Sequence, residues 1–75
     1  MERAEWIPVE GSRRIVAEAY LPDERTILVR FRDGVAWAYQ ESTVQDWEDF
    51  TSPAQSRGSF IHAVLNHHPH GPWPG

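Results

Sequence analysis

Cysteine, lysine and long apolar runs are all missing from this 75-residue sequence. Without cysteine there is no disulfide framework, no thiolate metal ligand and no thiol nucleophile, so packing alone must hold the fold. No apolar run approaches the roughly 18 residues of a membrane-spanning helix, and the start lacks the basic and apolar regions of a secretory signal. We therefore expect a cytoplasmic protein with no membrane contact.

Aromatic side chains, in contrast, are plentiful: four Trp, three Phe and two Tyr. A domain this small buries only about 60% of the surface that its unfolded chain exposes, so large rings must supply much of the burial. One hydrophobic core is all that this length supports. The net charge of -4 opposes broad attraction to nucleic acid, so any phosphate contact has to be local.

The first strand signals lie in the N-terminal third of the chain. Residues 15–20, IVAEAY, include β-branched side chains, contain no breaker and precede a stretch of turn formers. Before them, Ile7 and Val9 alternate around Pro8, and proline confines such a segment to the edge of a sheet. We predict a strand at 15–20, preceded by a short edge strand or by an ordered arm.

A hairpin in residues 26–40 allows two registers. A two-residue loop at Asp33-Gly34 mixes apolar and polar side chains on each face. A three-residue loop, with Gly34 in the left-handed conformation, pairs Val29 with Trp37 and gathers the apolar side chains on one face. We predict the second register, because apolar-in, polar-out alternation is typical of a half-buried antiparallel sheet.

The apolar period then changes to that of a helix. Ser42 and Gln45 fit a capping box at its start. A helical stripe follows, formed by Val44, Trp47 and Phe50.

A second helix is predicted from the sequence TSPAQ. Ser52 is placed as its cap, Pro53 at the first helical position and Gln55 three residues after the cap. Its buried stripe would be Phe60, Ile61, Val64 and Leu65. The fold class is therefore α+β: an antiparallel β-meander of three strands, or four with the edge strand, followed by two short helices packed on one face.

Residues 1–66 form a single predicted domain, and residues 67–75, rich in Pro, Gly and His, a flexible tail. His67, His68 and His70 lie in that tail with no carboxylate or cysteine at ligand spacing, so we predict no metal site. No nucleophile elbow, P-loop or dinucleotide fingerprint occurs in the sequence. We therefore expect no catalytic residues, no cofactor and no enzyme activity.

The order of these elements resembles the KTSC domain, which is found alone in small bacterial and phage proteins and at the end of some lysyl-tRNA synthetases. The resemblance runs from Ser12 to about Leu65. Its most specific part is the pattern Ala-x-Ser-Lys-Gly-x-aromatic, matched by AQSRGSF at 54–60 with Arg57 in place of lysine. His62 stands where the family often has Asn. The resemblance implies a small stand-alone α+β domain of bacterial or phage origin.

A phosphate site is predicted at the turn that carries Ser56, Arg57, Gly58 and Ser59. Free N–H groups, the helix dipole and the Arg57 charge would together favour an anion there. The alternative is structural: Gly58 permits close approach of helix and sheet while the serines cap.

A second candidate is a basic strip on the exposed sheet face, formed by Arg30 and Arg32 with Arg13 and Arg14 beside them. Sheet platforms engage nucleic acid in this way. The alternative is a solvated face on which Glu18 and Glu41 neutralise these charges.

Two functions remain open at this point. The first is a small non-enzymatic module that binds RNA, tRNA or another phosphate-bearing ligand through these arginines and the turn at 56–59. The second is a protein-interaction or accessory protein, in one version a homodimer, that uses exposed Trp6, Trp73 or a free sheet edge. Steep loss of affinity with salt would favour the first.

Overall fold

The computed structural model describes residues 4–54 and 56–73, so the helix-cap prediction for Gln55 lies outside the described residues. Within them, five strands form one antiparallel sheet whose strands follow the order of the chain. The elements are β1 (Ile7–Pro8), β2 (Ile15–Leu21), β3 (Thr26–Phe31), β4 (Ala36–Tyr39), α1 (Val44–Thr51), α2 (Arg57–Ala63), a 3-10 turn (Leu65–His67) and β5 (His70–Pro72). In the described part of the chain, no helix has the length and apolarity needed to cross a membrane.

The β3–β4 hairpin has the register predicted for a three-residue loop, with Val29 opposite Trp37. The Phe31 N–H donates to the Val35 carbonyl at 2.9 Å, and Gly34 has a φ of +93°. Residues other than glycine rarely adopt that backbone conformation. The predicted α+β class, a meander followed by two helices, is confirmed, and the sheet contains more strands than predicted.

The additional strand, β5, lies in the segment that the sequence analysis assigns to a flexible tail. Gly71 pairs with Ala38 and Pro72 with Trp37 along the free edge of β4. The Trp73 N–H extends this pairing by donating to the Ala36 carbonyl at 2.8 Å. Local signals miss the strand because Pro and Gly are poor strand formers, and only the distant β4 edge provides its partners.

One face of the sheet packs against the helices. This first core consists of large buried side chains from the strands, both helices and the 3-10 turn: Ile15, Ile27, Val29, Tyr39, Phe50, Phe60, Ile61 and Leu65. It is the face on which the predicted register gathers the apolar residues.

The opposite face carries a smaller core built from Ala19, Leu21, Leu28 and Ala38. Trp6 and Trp73 are half-buried and pack against it from the two ends of the chain. The two tryptophans are therefore half-buried rather than exposed as predicted, and their role in an interaction stays a prediction. Because the side chains of this second core are apolar, they have to be shielded from water. The alternating pattern of the hairpin alone does not reveal this second core.

The first helix starts one residue later than predicted. Thr43 Oγ1 accepts from the Asp46 N–H at 3.1 Å, and the Asp46 carboxylate accepts from the Thr43 N–H at 3.0 Å. The capping box is therefore Thr43 with Asp46 rather than Ser42 with Gln45. Ser42 is fully buried instead, and its hydroxyl donates to the Tyr39 carbonyl at 3.0 Å.

The second helix also starts later than predicted. Ser52 Oγ accepts from the Ala54 N–H at 3.3 Å, which closes a turn at Pro53 rather than opening a helix. Ser56 is the cap of α2, and its side chain accepts from the Ser59 N–H. Proline suits a turn as well as a first helical position, so the TSPAQ pattern alone does not choose between them.

Candidate functional site

The two ends of the sheet carry opposite charge. The basic end, defined here as residues 12–14 and 30–35, joins the start of β2 to the β3–β4 hairpin, since Ile15 pairs with Phe31. The acidic end, defined as residues 22–26 and 40–49, joins the β2–β3 turn to the segment that leads into α1, since the Ser42 N–H donates to the Arg25 carbonyl at 2.7 Å. Arginines of the basic end are Arg13, Arg14, Arg30 and Arg32. Carboxylates of the acidic end are Asp23, Glu24, Glu41, Asp46, Glu48 and Asp49, accompanied by Arg25.

Arg57, the centre of the predicted phosphate turn, is held by a carboxylate of the sheet. Its Nε lies 2.6 Å from Glu18 Oε1 and its Nη2 lies 2.9 Å from Glu18 Oε2. The Glu18 side chain is only 3% exposed and that of Arg57 24%. Hydrogen bonding to Glu18 raises the pKa of Arg57, with burial acting in the opposite direction. A phosphate at Arg57 would have to compete with this buried carboxylate.

The two predicted strand arginines are also engaged within the protein. The Arg30 guanidinium lies over the Trp6 ring, 4.6 Å from its centroid, on the second face of the sheet. Arg32 donates from Nε to the Arg13 carbonyl at 2.8 Å and from Nη2 to the Ser12 carbonyl at 2.9 Å. Arg32 therefore ties the β1–β2 loop to the hairpin, which is a positioning role.

Arg13 and Arg14, which the sequence analysis places beside the predicted strip, are both exposed. The guanidinium carbon of Arg14 lies 5.8 Å from the centroid of the Phe31 ring. Neither side chain forms an ion pair with any residue in 4–54 or 56–73. Ser12 precedes them and shapes the turn, because its Oγ accepts from the Ile15 N–H at 3.1 Å.

A groove of about 620 Å³ opens between the basic end and α2. We name it the first groove. Its polar lining includes Arg13, Arg14, Arg32, Asp33, His62, Asn66 and His70. Its aromatic lining is Phe31 and Trp37, both half-buried, and the buried Tyr39. The groove therefore combines the exposed cationic residues Arg13 and Arg14 with the half-buried rings of Phe31 and Trp37.

The rings of the first groove are fixed by their neighbours. His70 lies 5.9 Å from the Trp37 ring and 5.4 Å from the Tyr39 ring, between centroids. Its Nδ1 donates to the His68 carbonyl at 2.7 Å. Burial raises the pKa of the Tyr39 phenol, although the charge of Arg14 partly opposes this. The phenol is therefore neutral at ordinary pH.

A second groove of about 420 Å³ lies between the β1–β2 loop and the start of α2. We name it the second groove. Its own lining includes Val9, Glu10, Gly11, Ser12, Ile15, Ser56 and Arg57. Residues common to both grooves are Arg13, Arg14, Phe31, Gly58 and Ile61. Of the predicted phosphate turn, Ser56, Arg57 and Gly58 thus lie beside Arg13 and Arg14, while Ser59 is exposed outside the lining.

Gly58 borders both grooves and has space around it. A Cβ built at this position would meet only Ser56 Oγ, at 4.0 Å. Close approach of helix and sheet is therefore not what the glycine provides. A larger side chain here would project beside the groove walls.

The histidines do not converge on a metal site. His68 Nδ1 lies 2.9 Å from the Gln40 carbonyl and 3.3 Å from Ser42 Oγ. Among residues 4–54 and 56–73, no three His, Asp or Glu side chains are placed to hold an ion.

Comparison with solved structures places this architecture in a known family. The chain superposes on a KTSC domain protein from Yersinia pestis with a TM-score of 0.82 and 25% sequence identity, over 93% of this chain and 97% of that one. This chain has the fold of a KTSC domain. Neither family models nor the curated proteins give a match to it. The resemblance inferred from Ser12 to Leu65 is therefore confirmed.

In this chain, the Arg-Gly pair of the KTSC-like pattern has two separate roles. Arg57 anchors α2 to β2 through Glu18, and Gly58 borders both grooves. The exposed cationic groups next to that glycine come from the β1–β2 loop.

Proposed function

We propose that this KTSC domain is a non-enzymatic module that binds single-stranded RNA, including the unpaired parts of tRNA. One observation carries the proposal. Arg13 and Arg14 are exposed and without ion pairs among the described residues, and they stand beside the open rings of Phe31 and Trp37 in the first groove.

The chemistry of the first groove suits a nucleotide. Arginine presents a planar fork of donors that matches phosphate oxygens, and its charge persists at every physiological pH. Nucleobases stack on exposed aromatic rings whatever their sequence. A volume of about 620 Å³ also falls in the range of small-ligand pockets, roughly 300 to 1,000 Å³. A phosphate at Arg13 and Arg14 would thus place its base against Trp37.

The overall charge limits how strongly RNA binds. The chain carries a net charge of -4, and the acidic end repels a polyanion. This arrangement orients RNA toward the basic end and keeps the affinity modest. With one or two phosphates contacted, we expect log K to fall with log salt at a slope of about -1.

A protein partner has less support. Trp6 and Trp73 cover the second core. The edge strands β1 and β5 are two and three residues long and contain Pro8 and Pro72, so they offer few backbone groups for strand addition.

The test is binding of fluorescein-labelled oligouridine, with total tRNA as a second probe, measured by anisotropy across a salt series. Arg13→Gln/Arg14→Gln should weaken binding at least about tenfold, the equivalent of roughly 1.4 kcal/mol. Arg25→Gln, which removes an arginine at the acidic end, is the control and should change affinity less than twofold, about 0.4 kcal/mol. Equal losses in both variants, or no loss in the double variant, would contradict the proposed site.

A further inference from the structure

We infer that the ligand occupies both grooves at once: the recognised unit is a dinucleotide step, with its bridging phosphate at Arg13 and Arg14 and one nucleoside in each groove. The inference rests on the proposed function and specifies the ligand of that site.

The position of Arg13 and Arg14 favours a ligand that spans both grooves. Arg13 and Arg14 are consecutive residues, and both line both grooves. These two residues therefore lie at the border between two cavities of about 620 and 420 Å³. A phosphodiester has the same arrangement, because one negative charge lies between two uncharged nucleosides.

The charge of the second groove disfavours a phosphate inside it. Arg57 is already paired with Glu18, and the Glu10 carboxylate lies in the same lining. A phosphate placed inside this groove would meet a neutralised cation and a carboxylate that has no partner among residues 4–54 and 56–73. The anion is therefore better accommodated at the border, and the groove itself suits an uncharged group.

The other residues that line the second groove suit a nucleoside. Val9, Ile15 and Ile61 provide apolar walls for a ring. Ser12 Oγ accepts from the Ile15 N–H at 3.1 Å, so its hydroxyl proton remains available to a ligand. The Ser56 hydroxyl, which accepts from the Ser59 N–H at 3.4 Å, has the same capacity. Apolar walls with a few hydroxyl donors fit a nucleobase and its ribose.

The experiment compares uridine monophosphate, the dinucleotide UpU and a uridine tetranucleotide by NMR titration. UpU should bind at least about tenfold tighter than the monophosphate, although it carries less charge, because a second base gains its own contacts. The tetranucleotide should add less than about threefold over UpU, since the two grooves are then filled.

Two variants test the second groove directly. Ser56→Asp keeps a good helix cap and adds a carboxylate to this groove, whereas Ser56→Asn keeps the cap without the charge. Ser56→Asp should reduce the affinity for UpU to that of the monophosphate measured with the same variant, while Ser56→Asn retains most of the UpU advantage.

The outcomes separate the two proposals. If oligouridine binds but UpU is no tighter than the monophosphate, the dinucleotide inference is overturned and the proposed function stands. If no RNA of any length binds, both fail.

Discussion

The two ends of the sheet use the same residue types differently. At the acidic end, Trp47 of α1 stacks on Tyr20 with 5.6 Å between ring centroids and 13° between planes. The Tyr20 hydroxyl donates to the Ser42 carbonyl at 2.8 Å, which ties the helix start to the sheet. At the basic end, Phe31 and Trp37 lie on the same sheet face but border an open groove. Aromatic rings are thus packing elements at one end and a candidate binding surface at the other.

The arginines show the same contrast. Arg57 is neutralised by a buried glutamate, whereas Arg13 and Arg14 have no carboxylate partner in the described part of the chain. Residue type alone therefore does not identify a binding site. What marks it is whether the side chain is already satisfied inside the fold.

The greatest loss of stability should follow from removing Arg57, the arginine that is paired with Glu18. Arg57→Ala leaves the Glu18 carboxylate buried and unpaired, so we expect the free energy of unfolding to fall by about 3 kcal/mol. Urea denaturation of the purified domain measures this. Glu18→Gln, which leaves only the partly exposed Arg57 without its partner, serves as the matched variant and should cost less. If Arg57→Ala leaves the stability unchanged and abolishes RNA binding, Arg57 belongs to the RNA-binding site and this prediction is wrong.

Next in size is the contrast between two tryptophans. Trp47→Leu removes the stack on Tyr20, so we expect a loss of about 2 kcal/mol in the free energy of unfolding and unchanged RNA affinity in the folded protein. Trp37→Leu should cost about 1 kcal/mol and weaken RNA binding about tenfold. Thermal melts and anisotropy titrations of both variants test the pair. The reverse pattern would refute the contrast between the ends.

A smaller effect is expected at alkaline pH. Burial raises the pKa of Tyr39 above its ordinary value of 10.0, so the neutral phenol is favoured in the folded state. This contribution is fully present below pH 10 and is lost as the pH rises further, because the unfolded chain ionises first. The free energy of unfolding should fall by up to about 1.4 kcal/mol per pH unit above pH 10. Tyr39→Phe should flatten that part of the curve, measured by urea denaturation between pH 8 and 11, and an unchanged slope would contradict this.

The smallest effect is expected at Gly58. A Cβ there meets only Ser56 Oγ at 4.0 Å, so Gly58→Ala should raise the free energy of unfolding by about 0.5 kcal/mol through helix propensity. Gly34→Ala is the informative comparison, because a φ of +93° makes alanine strained there and the change should destabilise. If Gly58→Ala lowers the free energy of unfolding, the added methyl group must clash with a neighbour, which would contradict the open space around this position.

Much of the fold follows from local patterns. The alternation in residues 26–40 selects the hairpin register, and the Val29–Trp37 pair confirms it. The strand β5 does not follow, because residues 70–72 contain Gly and Pro and depend on the distant β4 edge. The helix α1 begins one residue after the predicted start, since Ser42 and Thr43 are both acceptable caps and only the burial of Ser42 distinguishes them.

The site was only partly predictable for the same reason. Sequence identifies Arg30, Arg32 and Arg57 as cationic, but their contacts with Trp6, the Arg13 carbonyl and Glu18 depend on tertiary structure. The grooves join the β1–β2 loop to α2 across more than forty residues of sequence, and no local pattern encodes that proximity. The family-like turn does point to the correct part of the molecule, because Gly58 borders both grooves.

The most direct test of the account maps RNA onto the two ends. Backbone amide chemical shifts of the isotopically labelled domain are recorded during titration with oligouridine. We predict perturbations at residues 12–14, 31–37 and 58–62 and none at 22–26 or 44–49. Perturbations concentrated on α1, or on Trp6 and Trp73 over the second core, would contradict the assignment of binding to the basic end.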